Sequence, residues 1–216
     1  LVALYAAGTG SGSFYREVAR TADCTPEDVV AGDLVLYNNQ PGTVWGPEGE
    51  FVSAPRLDDL ACVFACTEGF LTAQERDMVP VLCVFDNEEI GSETKQGAAS
   101  VFLPETLAAI SEALGLSAAD HRALLADSMM LSCDNGHARH PNHPELADTN
   151  EAPALNGGVV VKHSPRYATD GVSAAVFTEL CRRAEVPVQH YANRPDQMGG
   201  STLGNIADTK LPIPTV

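Results

Sequence analysis

The chain predicts an α/β fold, a mixed and largely parallel sheet flanked by helices, on three observations. Short apolar runs rich in β-branched residues, at 81–85, 128–133, 157–163 and 187–191, alternate with stretches of helical spacing. Two of these runs lead directly into acids, residues 86–89 and Asp134, and in open α/β sheets the crevice at the strands' carboxyl ends is where ligands bind. At 216 residues the chain is long enough for one sizeable core, or for one domain plus part of another.

Composition narrows the function classes. With 29 acidic against 13 basic residues and a net charge of -16, the protein should repel nucleic acid and anionic membrane surfaces, leaving metal cations as natural partners. Most of the acidic excess is accounted for by solubility, so only a few carboxylates need be functional. Six cysteines, Cys24, Cys62, Cys66, Cys83, Cys133 and Cys181, include no CxxC pair and lie mostly in apolar settings, the usage of a reduced, cytoplasmic protein. No apolar run approaches the roughly 18 to 20 residues of a membrane helix, and no signal-peptide pattern is visible. The chain opens at Leu1 and stops at an apolar LPIPTV stretch that reads as the lead into a further strand, so a fragment is expected.

In chain order, 1–7 is apolar, 8–13 is a Gly/Ser connector and 14–21 has helical composition. Thr25 is placed to cap a short helix with Pro26 in its first turn and Glu27 and Asp28 at the positive end of its dipole. Residues 33–37 read as a strand, and the breakers Pro41, Gly42, Gly46, Pro47 and Gly49 mark 38–50 as a candidate domain boundary. After Pro55, Leu60, Val63, Phe64 and Leu71 fall at helical spacing, so Asp58 and Asp59 open a helix. Their roles there are dipole pairing or, for one of them, ligation of a metal.

Residues 81–85 read as a strand buried on both faces near the middle of the sheet. Asp86, Asn87, Glu88 and Glu89 follow it. Adjacent glutamates beside a dry core raise each other's pKa unless a cation takes one of them. One carboxylate can then ligate while the other works as general base. Alone, the stretch is equally readable as an acidic loop. Pro104 divides the Ala-rich 94–116, with Leu107, Ile110 and Leu114 at helical spacing beyond it, and 118–126 is again helical. Asp134, Asn135 and Gly136 then form a turn signal or a second carboxylate site. His137, His140 and His143 have zinc-box spacing, but Pro141 and Pro144 prevent a regular helix, so a solvated loop competes with that reading. Strands at 157–163 and 187–191 bracket a helix over 169–184 with Val172, Val176, Leu180 and Cys181 inward. Gly199, Gly200, Ser201 and Thr202 form a Gly-rich turn able to offer backbone N–H groups to an oxyanion, or simply to close a loop.

In order and spacing, SAPRLDDL, VFDNEEIGS, SCDNGHARHPN, KHSPRYATDGVS and GGSTLGNI resemble the aspartyl aminopeptidase-type family of dinuclear zinc metallo-aminopeptidases, as a bacterial-like member. The resemblance implies a zinc-dependent exopeptidase-like fold and a site for two zinc ions, with cobalt or manganese as possible substitutes. It implies Asp58 as the bridging ligand, Glu88 as general base, Glu89 and Asp134 as ligands of one ion each, and His137, Lys162, Tyr167, Gly200, Ser201 and Thr202 on the substrate side. The segment between Lys162 and Tyr167 is shorter than is usual in the family. The His-x-Asp motif upstream and the later histidine that complete the family's ligand set are absent from this chain.

By the same resemblance, 1–47 is the tail of an inserted dimerisation domain and 48–216 the central part of the catalytic domain. The implied activity is removal of the N-terminal residue, acidic by Lys162, from peptide substrates by a homo-oligomer. The alternatives are another two-metal amide hydrolase, such as a carboxypeptidase or deacylase, and an inactive scaffold subunit.

Overall fold

The computed structural model describes residues 4–8, 10, 12–74, 77–197, 199–200 and 203–216. Two compact units divide the chain, Leu1–Pro55 and Arg56–Val216.

In the first unit, helix α1 (Ser13–Thr21) carries an Arg20–Glu17 ion pair across one turn, 2.5 Å between Nη2 and Oε1. Thr25 does cap a short turn of 3-10 helix, Pro26–Asp28, in a reciprocal box with Asp28. The breaker-rich stretch forms a hairpin: β1 (Thr43–Trp45) pairs antiparallel with β2 (Phe51–Ser53), Val44 opposite Val52. Its turn needs a left-handed residue at Gly46, with φ of +98°, and the hairpin is pinned by Trp45 stacked 4.7 Å from Phe51 and donating to Ser53 at 2.7 Å. The strand expected at 33–37 is not formed; those residues are exposed and carry no strand pairing among the described residues.

The second unit opens with α2 (Leu57–Thr72), as the apolar spacing predicts. Its first turn is irregular. Arg56 takes a left-handed conformation, Asp58 and Asp59 depart from helical angles, and the Asp58–Asp59 peptide is cis. Residues 81–85, expected as a central buried strand, pair with no strand among the described residues, and Val81 and Val84 are 57% and 53% exposed. A strand exists only through a neighbour's hydrogen bonds, so a β-prone run without one stays irregular.

The acidic loop that follows is tightly built. Glu88–Ile90 is one turn of 3-10 helix, entered through a left-handed Asn87. Ser92 N donates to Asn87 O at 2.9 Å, Asn87 Nδ2 to Thr94 Oγ1 at 3.0 Å, and Asp86 N to Gln96 O at 3.0 Å. A Cβ at Gly97 would lie 2.0 Å from the Ser92 carbonyl oxygen, so only glycine fits there.

Helix α3 (Phe102–Ala113) accommodates Pro104 in its first turn, where no intrahelical N–H partner is lost. Ser117 caps α4 (Ala118–Ala126) in a box with Asp120, and Ser111 Oγ meets His121 Nδ1 at 2.8 Å to join the two helices. The apolar run at 128–133 forms a parallel bridge, Met130 to Thr215, with the final residues; Met130 N donates to Pro214 O and Ser132 N to Val216 O.

Strands β3 (Val159–His163) and β4 (Val188–Ala192) pair in parallel, Val161 opposite His190, connected through α5 (Gly171–Arg183). The α/β character is thus present as one βαβ unit, while the larger parallel sheet expected from the sequence is represented among the described residues by two two-stranded sheets and the bridge. Asp170 caps α5 through the Val172 and Ser173 amides. That helix buries Ser173, Ala174 and Cys181, whereas Val172, Val176 and Leu180, expected inward, are exposed. Its spacing announces an apolar face, but which face is covered depends on neighbours that spacing does not encode. Val161, Ala98, Ala207, Leu211 and Ile213 are buried. No helix among the described residues is long and apolar enough to cross a membrane.

Candidate metal centre

The irregular first turn of α2 and the end of 128–133 deliver carboxylates to one point. One carboxylate oxygen from each of Asp58, Asp59 and Asp134 lies within 4.8 Å of the other two. Like charges at that separation repel, and a consequence is visible at Asp59. Burial is the first cause holding the Asp59 carboxyl above its ordinary range; Asp134 and Asp58 add to it, and a hydrogen bond from Cys62 opposes it. Glu88 is also raised, by burial first and then by Asp134, Glu89, Asp58 and Asp59, so it feels the charges of the same cluster.

Of the residues singled out by sequence, Asp58 and Asp134 stand in the group of three. Glu89, expected as a ligand, stands outside it and acts on Glu88 from the side; Asp59 is the third member. The two aspartates open the same turn, and only the local backbone angles decide that both converge. The three histidines do not gather round it. His140 stacks 5.4 Å from His143, which pairs with Glu145, and the His137 ring lies 6.4 Å from that of Tyr191.

Lys162, expected on the substrate side, donates to Asp134 Oδ2 at 2.7 Å and to the Asn135 carbonyl at 2.8 Å, with side-chain exposures of 15% for the lysine and 23% for the aspartate. Its ammonium also lies 6.0 Å from the centre of the Tyr167 ring. Burial first holds the Tyr167 hydroxyl above its usual pKa, a hydrogen bond with Asn193 opposing it and Asp134 adding to it; burial likewise raises the pKa of Tyr191, which donates to Asn193 Oδ1. Successive strand residues face opposite ways, so Lys162 and Tyr191 share one face of the β3–β4 pair while His163 and His190, 3.0 Å apart through Nε2 and Nδ1, share the other. Gly199 is held by Arg166, whose Nη1 donates to its carbonyl at 3.2 Å, and Gly200 is exposed. Ser201 and Thr202 lie outside the described residues.

Asn135, Tyr191 and Asn193 were not singled out from the sequence. Asn135 reads there as part of a turn signal, and nothing in its spacing announces a partner 78 residues away in Leu57.

Asp59 Oδ1 is buried with no hydrogen-bond partner among the described residues, inside a cluster of like charges. A buried carboxylate oxygen without a donor is strongly unfavourable unless a cation meets it. The donor set therefore fits a divalent cation, with oxygen ligands from Asp58, Asp59 and Asp134.

An α/β chain that brings carboxylates from separate elements to one point belongs, as a class, with candidate metalloproteins. Comparison with known proteins is more specific. The pattern of the Aminopeptidase I zinc metalloprotease (M18) family matches residues 9–216. The chain is 41% identical over 203 residues to a probable M18 family aminopeptidase 2 of Clostridium novyi, covering 93% of this chain and 47% of that protein. The crystal structure of prApe1 superposes with a TM-score of 0.86 at 32% identity, covering 94% of this chain and 44% of that one. The S. cerevisiae mApe1 dodecamer gives a TM-score of 0.80 at 32% identity, covering 94% of this chain and 46% of that one. The chain belongs to the M18 aminopeptidase family. It spans about half the length of the curated relatives it matches.

Proposed function

We propose that this chain carries part of the active site of a zinc-dependent aminopeptidase that removes N-terminal residues from peptides. The observation that carries the reading is the meeting of Asp58, Asp59 and Asp134, within electrostatic reach of Glu88, in a chain of the M18 family. Asp58, Asp59 and Asp134 would hold the cations, with Glu89, outside that group of three, proposed as a further ligand. Zinc is the family's metal, two ions per site being the arrangement the carboxylates are proposed to serve, and cobalt or manganese would substitute. When bound, such ions polarise a scissile carbonyl and lower the pKa of water.

The chain's own residues supply the rest. Glu88, its affinity for protons raised by burial and by four neighbouring carboxylates, takes a proton from the attacking water and delivers it to the leaving amine. Lys162, hydrogen-bonded to Asp134 and 6.0 Å from the centre of the Tyr167 ring, would meet an acidic first side chain, with His137 and Tyr167 as further substrate contacts. Gly200 and its neighbours Ser201 and Thr202 would offer backbone N–H groups to the developing oxyanion. A homo-oligomer is the proposed assembly, as in the S. cerevisiae mApe1 dodecamer, and six free cysteines fit a cytoplasmic setting.

The test is to express the complete reading frame and assay Asp-, Glu- and Leu-aminoacyl chromogenic substrates with and without a chelator, alongside Glu88→Gln. Chelator-sensitive turnover, lost in Glu88→Gln while metal content is kept, supports the reading. Turnover that survives both treatments, or that requires blocked N-termini, refutes it.

A further inference from the structure

The amide of Asn135 is used at both ends. Its Oδ1 accepts from Cys62 Sγ at 3.3 Å and its Nδ2 donates to the Leu57 carbonyl at 2.8 Å, both on the first turns of α2, while its own carbonyl accepts from Lys162 Nζ at 2.8 Å. Leu57 precedes Asp58 in the chain, the backbone amide of Asn135 hydrogen-bonds Asp59, and Asn135 follows Asp134. Each carboxylate of the cluster is therefore one residue, or one hydrogen bond, from Asn135 or from a group its side chain touches. Two elements 73 to 78 residues apart are tied at the point where their ligands meet.

We propose that Asn135 is a positioning residue which sets the spacing between the α2 carboxylates and Asp134, so that cation affinity depends directly on its side-chain amide. The proposal rests on the reading of Asp58, Asp59 and Asp134 as a metal centre. A neutral amide is the chemistry the position requires. It offers an acceptor to the thiol and a donor to the carbonyl without adding charge. Aspartate would keep the acceptor, lose the donor facing Leu57 O, and bring a further negative charge to the cluster. Leucine has similar size and neither polar function. Partners that orient metal ligands from behind change metal affinity by about 10- to 100-fold when removed.

The experiment uses protein from the complete reading frame, stripped of metal, as wild type, Asn135→Leu, Asn135→Asp and Cys62→Ala. Zinc affinity is read by titration at a temperature where all are folded, the ligand field by the absorption of the cobalt form, and the fold by metal-free melting. The expected result is a 10- to 100-fold loss of zinc affinity in Asn135→Leu with an altered cobalt spectrum, and a smaller loss in Cys62→Ala, where the tie to Leu57 survives. Should Asn135→Leu fail to fold, Asn135→Asp carries the same expectation. Wild-type affinity and spectrum in the Asn135 variants overturn the proposal, as does a lowered melting temperature with affinity unchanged, which would mark a purely structural amide. A wild-type protein that binds no stoichiometric zinc or cobalt refutes the metal centre itself, and the role of Asn135 falls with it.

Discussion

Replacing Asp59 with asparagine should stabilise the metal-free protein, because it removes a charge that the fold holds against two others. With oxygens of Asp58, Asp59 and Asp134 within 4.8 Å of one another, each ionised pair repels by about 3.5 kcal/mol at an effective dielectric of about 20, and by about 0.9 kcal/mol in bulk water. Asp58 is exposed, Asp59 only partly buried, and Lys162 offsets part of the Asp134 charge, so screening moves the balance toward the lower figure. The expected gain is about 2 kcal/mol, or about 4 to 8 °C in melting temperature for a chain of this size. Its pH dependence has a definite sign. Burial first, and the charges of Asp134 and Asp58 after it, raise the Asp59 carboxyl above its ordinary value, so the folded state binds that proton more tightly than the unfolded state. Stability from this group is fully present below the unfolded pKa of about 4 and is lost as pH rises through the raised folded value. The advantage of Asp59→Asn over wild type should therefore widen as pH rises from about 4 toward neutrality. Calorimetric melting of both proteins under chelator across that range is the assay. An Asp59→Asn protein that melts at or below wild type near neutral pH, or an advantage that does not grow with pH, would refute the electrostatic reasoning.

In the proposed reaction the raised pKa of Glu88 sets the acid limb of kcat/KM above the ordinary carboxylate range, with activity rising as pH increases and the base ionises; removing the Asp59 charge should move that limb to lower pH, as a pH–rate profile of Asp59→Asn would show. Lys162→Met leaves the Asp134 carboxylate without its 2.7 Å partner in a largely buried setting, so the metal-free protein should lose about 1 to 3 kcal/mol, measured by denaturant titration, and Asp- and Glu-aminoacyl substrates should lose their advantage over Leu. Gly97→Ala sets a methyl group against the Ser92 carbonyl; about 1 to 3 kcal/mol of destabilisation is expected, with faster amide hydrogen exchange over residues 86–99.

The parts of this protein legible in one dimension are those governed by neighbours along the chain. Thr25, Ser117 and Asp170 cap the turns that follow them, since a cap needs only an amide two or three residues on. Apolar spacing announced α2, α3 and α5, and the β3–α5–β4 unit was readable from alternating runs. The strand expected at 81–85 was not found because β-propensity describes a residue's fitness for a pairing that only another segment can provide. The covered face of α5 was misjudged for a related reason: spacing reveals an apolar side but not what lies against it.

The candidate centre divides along the same line. The sequence by itself determined that acids stand at the start of α2, after 81–85 and after 128–133, and that the chain resembles the metallo-aminopeptidases. Only the tertiary structure decided that Asp59 joins Asp58 and Asp134 while Glu89 stands aside, that Lys162 is seated on Asp134, and that Asn135 ties the two elements together. The physical reason is range. Caps and periodicity act over a few residues, whereas Coulomb repulsion and hydrogen bonds between residues 28 to 78 positions apart depend on distances that the fold alone sets.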